Sequence, residues 1–178
     1  MADIFWFIGK VLLDVILVGY NKIVVDKCGD KWRNSVDNIF IGEFTHVLDS
    51  KGRLAIPVKF KKLLTKGAVV TKGLDGCLFL YTESEWAKLV AKLNQMPISQ
   101  GNARAFARLM LAGAMPVILD TQNRINLPNY LIAFAGLKTT AVLAGLMNRL
   151  EIWDTKQWET YKKKTEPESE KIAEQLFI

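Results

Sequence analysis

Hydrophobic and polar residues alternate along two separate stretches of the chain, and both stretches predict the same series of short elements. In the first stretch, alternation and short apolar runs predict four strands, at residues 43–48, 53–56, 68–72 and 77–81. In the second stretch they predict four more, at residues 116–119, 124–127, 141–145 and 149–153. The pattern therefore favours a mixed β/α fold that is mainly β.

The two stretches are copies of one repeat, offset by 71 positions and later by 72. The first contains the segment VLDSKGRLAIP, which begins at Val47, and the second contains ILDTQNRINLP, which begins at Ile118. Asp, Arg and Pro recur at matching positions, and the similarity extends over roughly forty residues. Self-similarity of this length indicates a duplicated structural unit. We call residues 43–85 the first repeat and residues 114–157 the second repeat.

Each repeat also predicts two helices. Pro57 and Pro128 stand where a helix can begin, because the missing N–H of proline is harmless in the first turn. The short helices that follow are expected to bury Phe60, Leu63 and Leu64 in the first repeat, and Leu131, Phe134 and Ala135 in the second. Thr82 and Asp154 have capping-box spacing and predict the start of the second helix of each repeat.

The segments outside the repeats differ from them in composition. Residues 86–113 carry apolar side chains at helical spacing and predict connecting helices, whereas residues 158–178 predict a charged C-terminal tail. A single repeat of about 45 residues can build only a thin core. We therefore expect the repeats to share one pseudo-twofold β core, in which strands from both halves complete each other's sheets.

The repeated turns and their surroundings resemble the MraZ family of bacterial transcriptional regulators. The resemblance covers roughly residues 39–160 and is carried by LDSKGRLAIP from Leu48, GLDGCL from Gly73, DTQNR from Asp120 and EIW from Glu151. It implies two tandem AbrB-like units, each with an Asp-x-x-x-Arg turn. The fold implied is a pseudo-twofold swapped-hairpin β-barrel with short helices.

The resemblance also implies a function. We expect sequence-specific binding of double-stranded promoter DNA, at direct repeats upstream of its own gene in the division and cell-wall gene cluster. The binding species would be a ring-shaped homo-oligomer in the cytoplasm and nucleoid, with no enzymatic activity, no cofactor and no small-molecule substrate. The DNA-binding positions carry over to Lys51 and Arg53 in the first turn and to Gln122 and Arg124 in the second. Because the second turn has Gln122 where the first has Lys51, the second turn is expected to be less cationic and more structural.

The chemistry of these turns has two interpretations. A rigid turn can present an arginine fork to guanine and a lysine charge to phosphate, which suits DNA. Alternatively, Asp49 with Arg53, and Asp120 with Arg124, form internal pairs that recur because they determine the fold. The residues alone leave both interpretations open, and in either case we interpret the two aspartates as structural.

The amino-acid composition narrows the classes of protein to which the chain can belong. The chain has 178 residues, half of them hydrophobic, with 24 Lys and Arg against 18 Asp and Glu, a net charge of +6 that suits a polyanionic partner. A single histidine, His46, and two isolated cysteines, Cys28 and Cys77, argue against a metal site and against a disulfide scaffold. No Ser/His/Asp or paired-carboxylate pattern in the sequence indicates an enzyme.

Residues 1–38 contain five basic and five acidic side chains, so the whole net charge lies in residues 39–178. Residues 4–20 are apolar, but Lys10 and Asp14 interrupt them and they are shorter than the ~20 residues of a membrane span. Three interpretations are considered: a membrane-surface helix, an added oligomerisation helix, or upstream sequence outside the mature protein. The resemblance favours the third, because chains of that family usually begin where Ile39 and Phe40 stand, and it implies an N-terminal extension or a true start at Ile39. The main alternative function is thus a membrane-surface scaffold anchored by residues 4–20, and membrane contact is expected only if the extension is real. An AbrB-like antitoxin is a third possibility.

Overall fold

Pairs of strands alternate with one or more helices along residues 39–176, the part of the chain that the computed structural model describes. The hypotheses about residues 1–38, including the anchor at 4–20, lie outside this range. The strands are β1 (Phe40–Val47), β2 (Arg53–Ala55), β3 (Ala68–Lys72), β4 (Leu78–Thr82), β5 (Met115–Val117), β6 (Arg124–Asn126), β7 (Thr140–Met147) and β8 (Arg149–Asp154). The α-helices are α1 (Glu83–Asn94), α2 (Gly101–Ala112), α3 (Asn129–Phe134), α4 (Thr155–Thr165) and α5 (Ser169–Gln175), and Val58–Leu64 and Glu166–Glu168 are 3-10 helices.

Six strands form one antiparallel sheet, in the order β1-β7-β8-β4-β3-β5. Strands β2 and β6 form a separate antiparallel ribbon. β1 leads into the first Asp turn yet pairs with β7 near the end of the chain, and β5 pairs with β3 in the same reciprocal way. Exchanging β1–β4 for β5–β8 reproduces the same strand order. The expected sharing of strands between the repeats is therefore confirmed.

The closed barrel implied by the family resemblance is not shown by the strand pairing. Within residues 39–176, β1 and β5 stand at opposite ends of the sheet and do not pair with each other. Each of these end strands instead runs into an Asp turn and then into the ribbon, which a single bridge between Leu48 and Leu54 ties to the end of β1. The described architecture is an open sheet with a ribbon and short helices.

The main hydrophobic core lies on one face of the sheet. Leu80 on β4 and Ile152 on β8 point into it, since every second residue of a strand faces the same side of the sheet. Leu54 and Ile125 enter it from the ribbon. Phe134 departs from the sequence prediction: it is 36% exposed, and the ammonium of Lys72 lies 5.2 Å from its ring. Leu131 within α3 and Ala135 directly after it both point inward, and they are four positions apart. Phe134 is therefore left at the margin of the buried face.

A smaller cluster covers the opposite face of the sheet beneath α1, α2 and α4. It contains Cys77, Phe79, Tyr81 and Trp153, with Trp86, Leu89, Phe106 and Trp158 packed against them from the helices. Thr82 accepts a hydrogen bond from the Glu85 amide, and Asp154 accepts from two amides of α4, so the predicted caps are confirmed. Burial raises the pKa of the Cys77 thiol, so this cysteine packs as a small apolar residue.

Within residues 39–176, no helix has both the length and the apolar character needed to cross a membrane.

Candidate nucleic-acid interface

The first Asp turn connects β1 to β2 and is held by the Asp49 carboxylate. Oδ1 of Asp49 accepts hydrogen bonds from the backbone amides of Lys51 and Arg53, both at 2.9 Å. Oδ2 accepts a hydrogen bond from Arg53 Nε at 2.6 Å. Gly52, at a φ of +76°, closes the turn by donating its N–H to the Asp49 carbonyl at 3.0 Å. One carboxylate therefore fixes both the backbone of the turn and the orientation of its arginine.

The second Asp turn, between β5 and β6, uses the same atoms. Oδ1 of Asp120 accepts hydrogen bonds from the amides of Gln122 and Arg124 at 2.8 and 2.9 Å. Oδ2 accepts from Arg124 Nε at 2.8 Å and lies 2.7 Å from its Nη2. Asn123, at a φ of +58°, takes the place of Gly52 and donates to the Asp120 carbonyl at 3.0 Å. The sequence repeat is thus a repeat of hydrogen-bonding geometry.

The ribbon brings the two turns together. Across β2 and β6, Arg53 faces Asn126, and Ala55 faces Arg124. Both pairs lie on the outer face, because the residues between them, Leu54 among them, point into the core. A two-stranded ribbon with one buried face and one polar face is therefore the element that positions both arginines.

Hydrogen bonds beyond the ribbon lock each turn to the other repeat. The Ile56 amide donates to the Asn123 carbonyl, and the Leu127 amide donates to the Gly52 carbonyl, both at 2.8 Å. Each left-handed residue thus accepts a hydrogen bond from the strand end of the opposite repeat. The turns are held rigidly with respect to each other, so the arginines are positioned before any partner arrives.

A depression of about 300 Å³ opens beside the ribbon, lined in part by Lys51, Arg53, Asp120, Arg124 and Asn126. The structure therefore brings together three of the four residues predicted to bind DNA. The fourth, Gln122, is exposed in the second turn but does not line the depression. Their contact with DNA stays a prediction.

The aspartates orient the arginines without covering them. Side-chain exposure is 36% for Arg53 and 24% for Arg124. Asp49 holds Arg53 through Nε alone, and no other residue in 39–176 bonds its Nη1 or Nη2. Arg124 is more engaged, since its Nη2 also binds Asp120 and its Nη1 lies 4.0 Å from Oδ2 of Asp49. The internal pair and the DNA-reading role are therefore compatible, because the Nη edge of Arg53 remains available.

Electrostatics distinguishes the two turns. The backbone N–H of Arg53 is the main cause that lowers the pKa of Asp49, and the Arg124 side chain is the main cause for Asp120. Both carboxylates are ionised at neutral pH, so both anchors persist there. With Lys51 and Arg53, the first turn carries two cations against one anion, whereas the second carries one of each.

Asn126 is a candidate residue that sequence reasoning missed. It is exposed, lines the depression and stands directly across from Arg53. Its alternation with Arg124 along β6 would have placed both on one face of the strand. For metal binding, the described part of the chain holds no group of three His, Cys, Asp or Glu residues.

Comparison with known proteins agrees with the duplication. The model of the MraZ protein family, described as antitoxin-like, matches residues 39–109 and again residues 110–177. The transcriptional regulator MraZ of Pediococcus pentosaceus is 49% identical over 139 residues, which are 78% of this chain and 97% of that protein. The proteins of the same name from Natranaerobius thermophilus and Limosilactobacillus reuteri are each 45% identical. The first alignment covers 78% of this chain and 96% of the relative, and the second covers 79% and 99%.

Proposed function

The chain belongs to the MraZ family, and on that premise we propose that it is a transcriptional regulator that binds double-stranded promoter DNA through its two Asp turns and the ribbon between them. Transcription would change because the promoter is occupied, without any chemical step. The relatives are named as transcriptional regulators, and the arrangement of Arg53, Arg124 and Lys51 supports DNA as the partner.

The observation that carries this proposal is the pair of anchored arginines on one ribbon. The major groove of B-DNA is about 12 Å wide and admits a two-stranded ribbon. Arg53 and Arg124 lie on the outer face of the ribbon, and Lys51 is exposed in the adjoining turn, where it can reach a phosphate. Anchoring by Asp49 and Asp120 reduces the conformational freedom that the arginines lose on binding, which favours affinity.

The proposal also includes the association of several copies of the chain. One pair of turns buries little surface, so we propose that copies of the chain form a ring that engages direct repeats upstream of its own gene, in the division and cell-wall gene cluster. Avidity then multiplies weak contacts. Ile41 and Leu146 face each other on β1 and β7, and both are exposed beside the exposed Met147, which supports association between copies. The proposed place of action is the cytoplasm and nucleoid.

The test is DNA binding by fluorescence anisotropy, with a duplex from upstream of its own gene and a scrambled duplex of equal composition. Arg53→Ala is expected to cost about 1–3 kcal/mol of binding free energy, because the fork that can reach guanine is lost. Arg124→Ala is expected to cost less, since part of its guanidinium is engaged with Asp120. Arg108→Ala is the matched control, because Arg108 is exposed on α2, away from the ribbon.

Three results would contradict the proposal. A folded Arg53→Ala variant that binds as well as the parent would remove the turn from the mechanism. An affinity that does not fall as salt rises would exclude phosphate contacts as its source. Light scattering that shows a monomer at every protein concentration would exclude the ring.

A further inference from the structure

Asn126 stands beside Arg53 on the outer face of the ribbon. We propose that Asn126 determines specificity by reading an adenine, in the base pair next to the guanine that Arg53 reads. This inference rests on the proposed function and adds to it a residue outside both Asp turns.

The register of the ribbon places the two side chains close together. The Leu127 amide donates to the Gly52 carbonyl at 2.8 Å, so this pair occupies a hydrogen-bonding position. Such positions alternate along an antiparallel ladder, and the adjacent pair, Arg53 with Asn126, is therefore of the non-hydrogen-bonded kind. In that kind the Cα atoms are about 4.5 Å apart and the side chains lie closest to each other.

The amide of Asn126 is free to accept a partner. Its side chain is exposed, and the side-chain hydrogen bonds of the turns within residues 39–176 are made by Asp49 and Asp120 and do not involve Asn126. Its Oδ1 lies 3.7 Å from the place that a Cβ would occupy on Gly52, so the amide leans toward the first turn. Asparagine is a poor strand former and supports neither packing nor pairing at this position. Nothing in the described fold requires an asparagine there.

Base chemistry then assigns the contact. Asparagine can bond adenine N6 and N7 bidentately, as arginine bonds guanine O6 and N7. Neighbouring base pairs are about 3.4 Å apart, and the Cβ atoms of residues that face each other across a ribbon are about 4.5–5.5 Å apart. The two side chains therefore start close enough together to reach adjacent base pairs. At the equivalent place in the other half, Arg124 faces Ala55, whose methyl group can contact only a thymine methyl group. The two halves of the ribbon therefore read different base pairs.

The test is selection from a pool of duplexes with a randomised central segment, followed by sequencing. We expect the parent protein to enrich a guanine with an adenine in the neighbouring base pair. Asn126→Ala is expected to lose the preference for that A·T pair by about 5- to 150-fold and to keep the guanine preference. Arg53→Ala is expected to show the reverse loss. Asn129→Ala is the matched control, because Asn129 is exposed at the start of α3 and its side chain does not cap the helix.

A second variant makes the assignment sharper. Asn126→Asp replaces the amide with an acceptor-only group, so its preference is expected to move toward cytosine, whose N4 is a donor. If Asn126→Ala selects the same sequences as the parent, the inference is wrong while the proposed function stands. If the parent itself enriches no sequence, the proposed function is wrong and the inference fails with it. Equal thermal unfolding of parent and variants shows that binding, and not folding, has changed.

Discussion

The two Asp turns share one set of hydrogen bonds but differ at the two positions directly before the arginine. The first turn has Lys51 and Gly52 there, and the second has Gln122 and Asn123. Gly52 and Asn123 both adopt the left-handed conformation, so both turns follow the same backbone path. The fold therefore requires the conformation in both repeats, whereas the extra positive charge occurs in only one.

The space around the left-handed residue differs as well. A Cβ on Gly52 would lie 2.8 Å from the Leu127 carbonyl oxygen and 3.1 Å from Cδ1 of Ile132. The side chain of Asn123 fits in the corresponding turn, but its Oδ1 is buried and has no hydrogen-bond partner in the described part of the chain. The second repeat thus packs too closely against Gly52 to admit any side chain there. The first repeat, in contrast, leaves room for the side chain of Asn123.

The largest effect is expected when the first turn is given the residue of the second. Gly52→Asn should lower the free energy of unfolding by about 2–4 kcal/mol, because it adds left-handed strain and forces a side chain against backbone. Asn123→Gly should change it by no more than about 1 kcal/mol, since lost rigidity is offset by removal of an unpaired amide oxygen. Urea unfolding measures both. Equal losses in the two variants would show that the turns are packed alike.

A smaller effect is expected on acidification. The folded-state pKa values of Asp49 and Asp120 are lowered, so their contribution to stability is complete above the unfolded pKa of about 3.9 and is lost as the pH falls through the folded values. Unfolding measured between about pH 5 and pH 2 should show this loss. The effect is modest because both carboxylates remain solvent-accessible.

The causes of the two pKa shifts sharpen this prediction. Arg124→Ala removes the main cause for Asp120, whereas Arg53→Ala leaves the backbone N–H that is the main cause for Asp49. The pKa of Asp120 should therefore rise further than that of Asp49 in the respective variants, as followed by NMR titration of the carboxyl carbons. Equal rises would mean that the side chains contribute alike in both turns.

The smallest effect is expected on the salt dependence of DNA binding. Lys51→Gln should reduce the slope of log affinity against log salt by about 1 for each turn in contact, because one phosphate contact is lost. Gln122→Lys should increase the slope if the second turn also faces phosphate. An unchanged slope in Gln122→Lys, with a reduced slope in Lys51→Gln, would show that only the first turn approaches the DNA backbone.

Local features were predictable from the sequence because they depend on residues close together in the chain. Asp, a left-handed residue and Arg at fixed offsets specify the turn, and strand β3 lies at Ala68–Lys72, where a short apolar run predicts it. The start of β1 at Phe40 was predicted three residues too late, because Gly42 interrupts the alternation while the pairing with β7 extends the strand. Pairing partners decide where such strands end.

Features that depend on distant contacts were harder to predict. Alternation does not reveal that β2 pairs with β6, and that pairing alone brings Arg53 opposite Asn126. The exposure of Phe134 follows from how α3 lies on the core, which helical spacing does not determine. Asn123 and Gly52 match in the sequence as residues that tolerate positive φ, and only packing shows that they are not interchangeable.

The reciprocal strand order has a consequence for how recognition can diverge. Two identical single-repeat chains with this arrangement would place every amino-acid replacement at both ends of the ribbon. In the fused chain, Asn126 can change while Ala55, its counterpart, stays as it is. Fusion thus makes the two ends of a symmetric framework different. Under the proposed DNA binding, each copy would distinguish the two directions along a duplex.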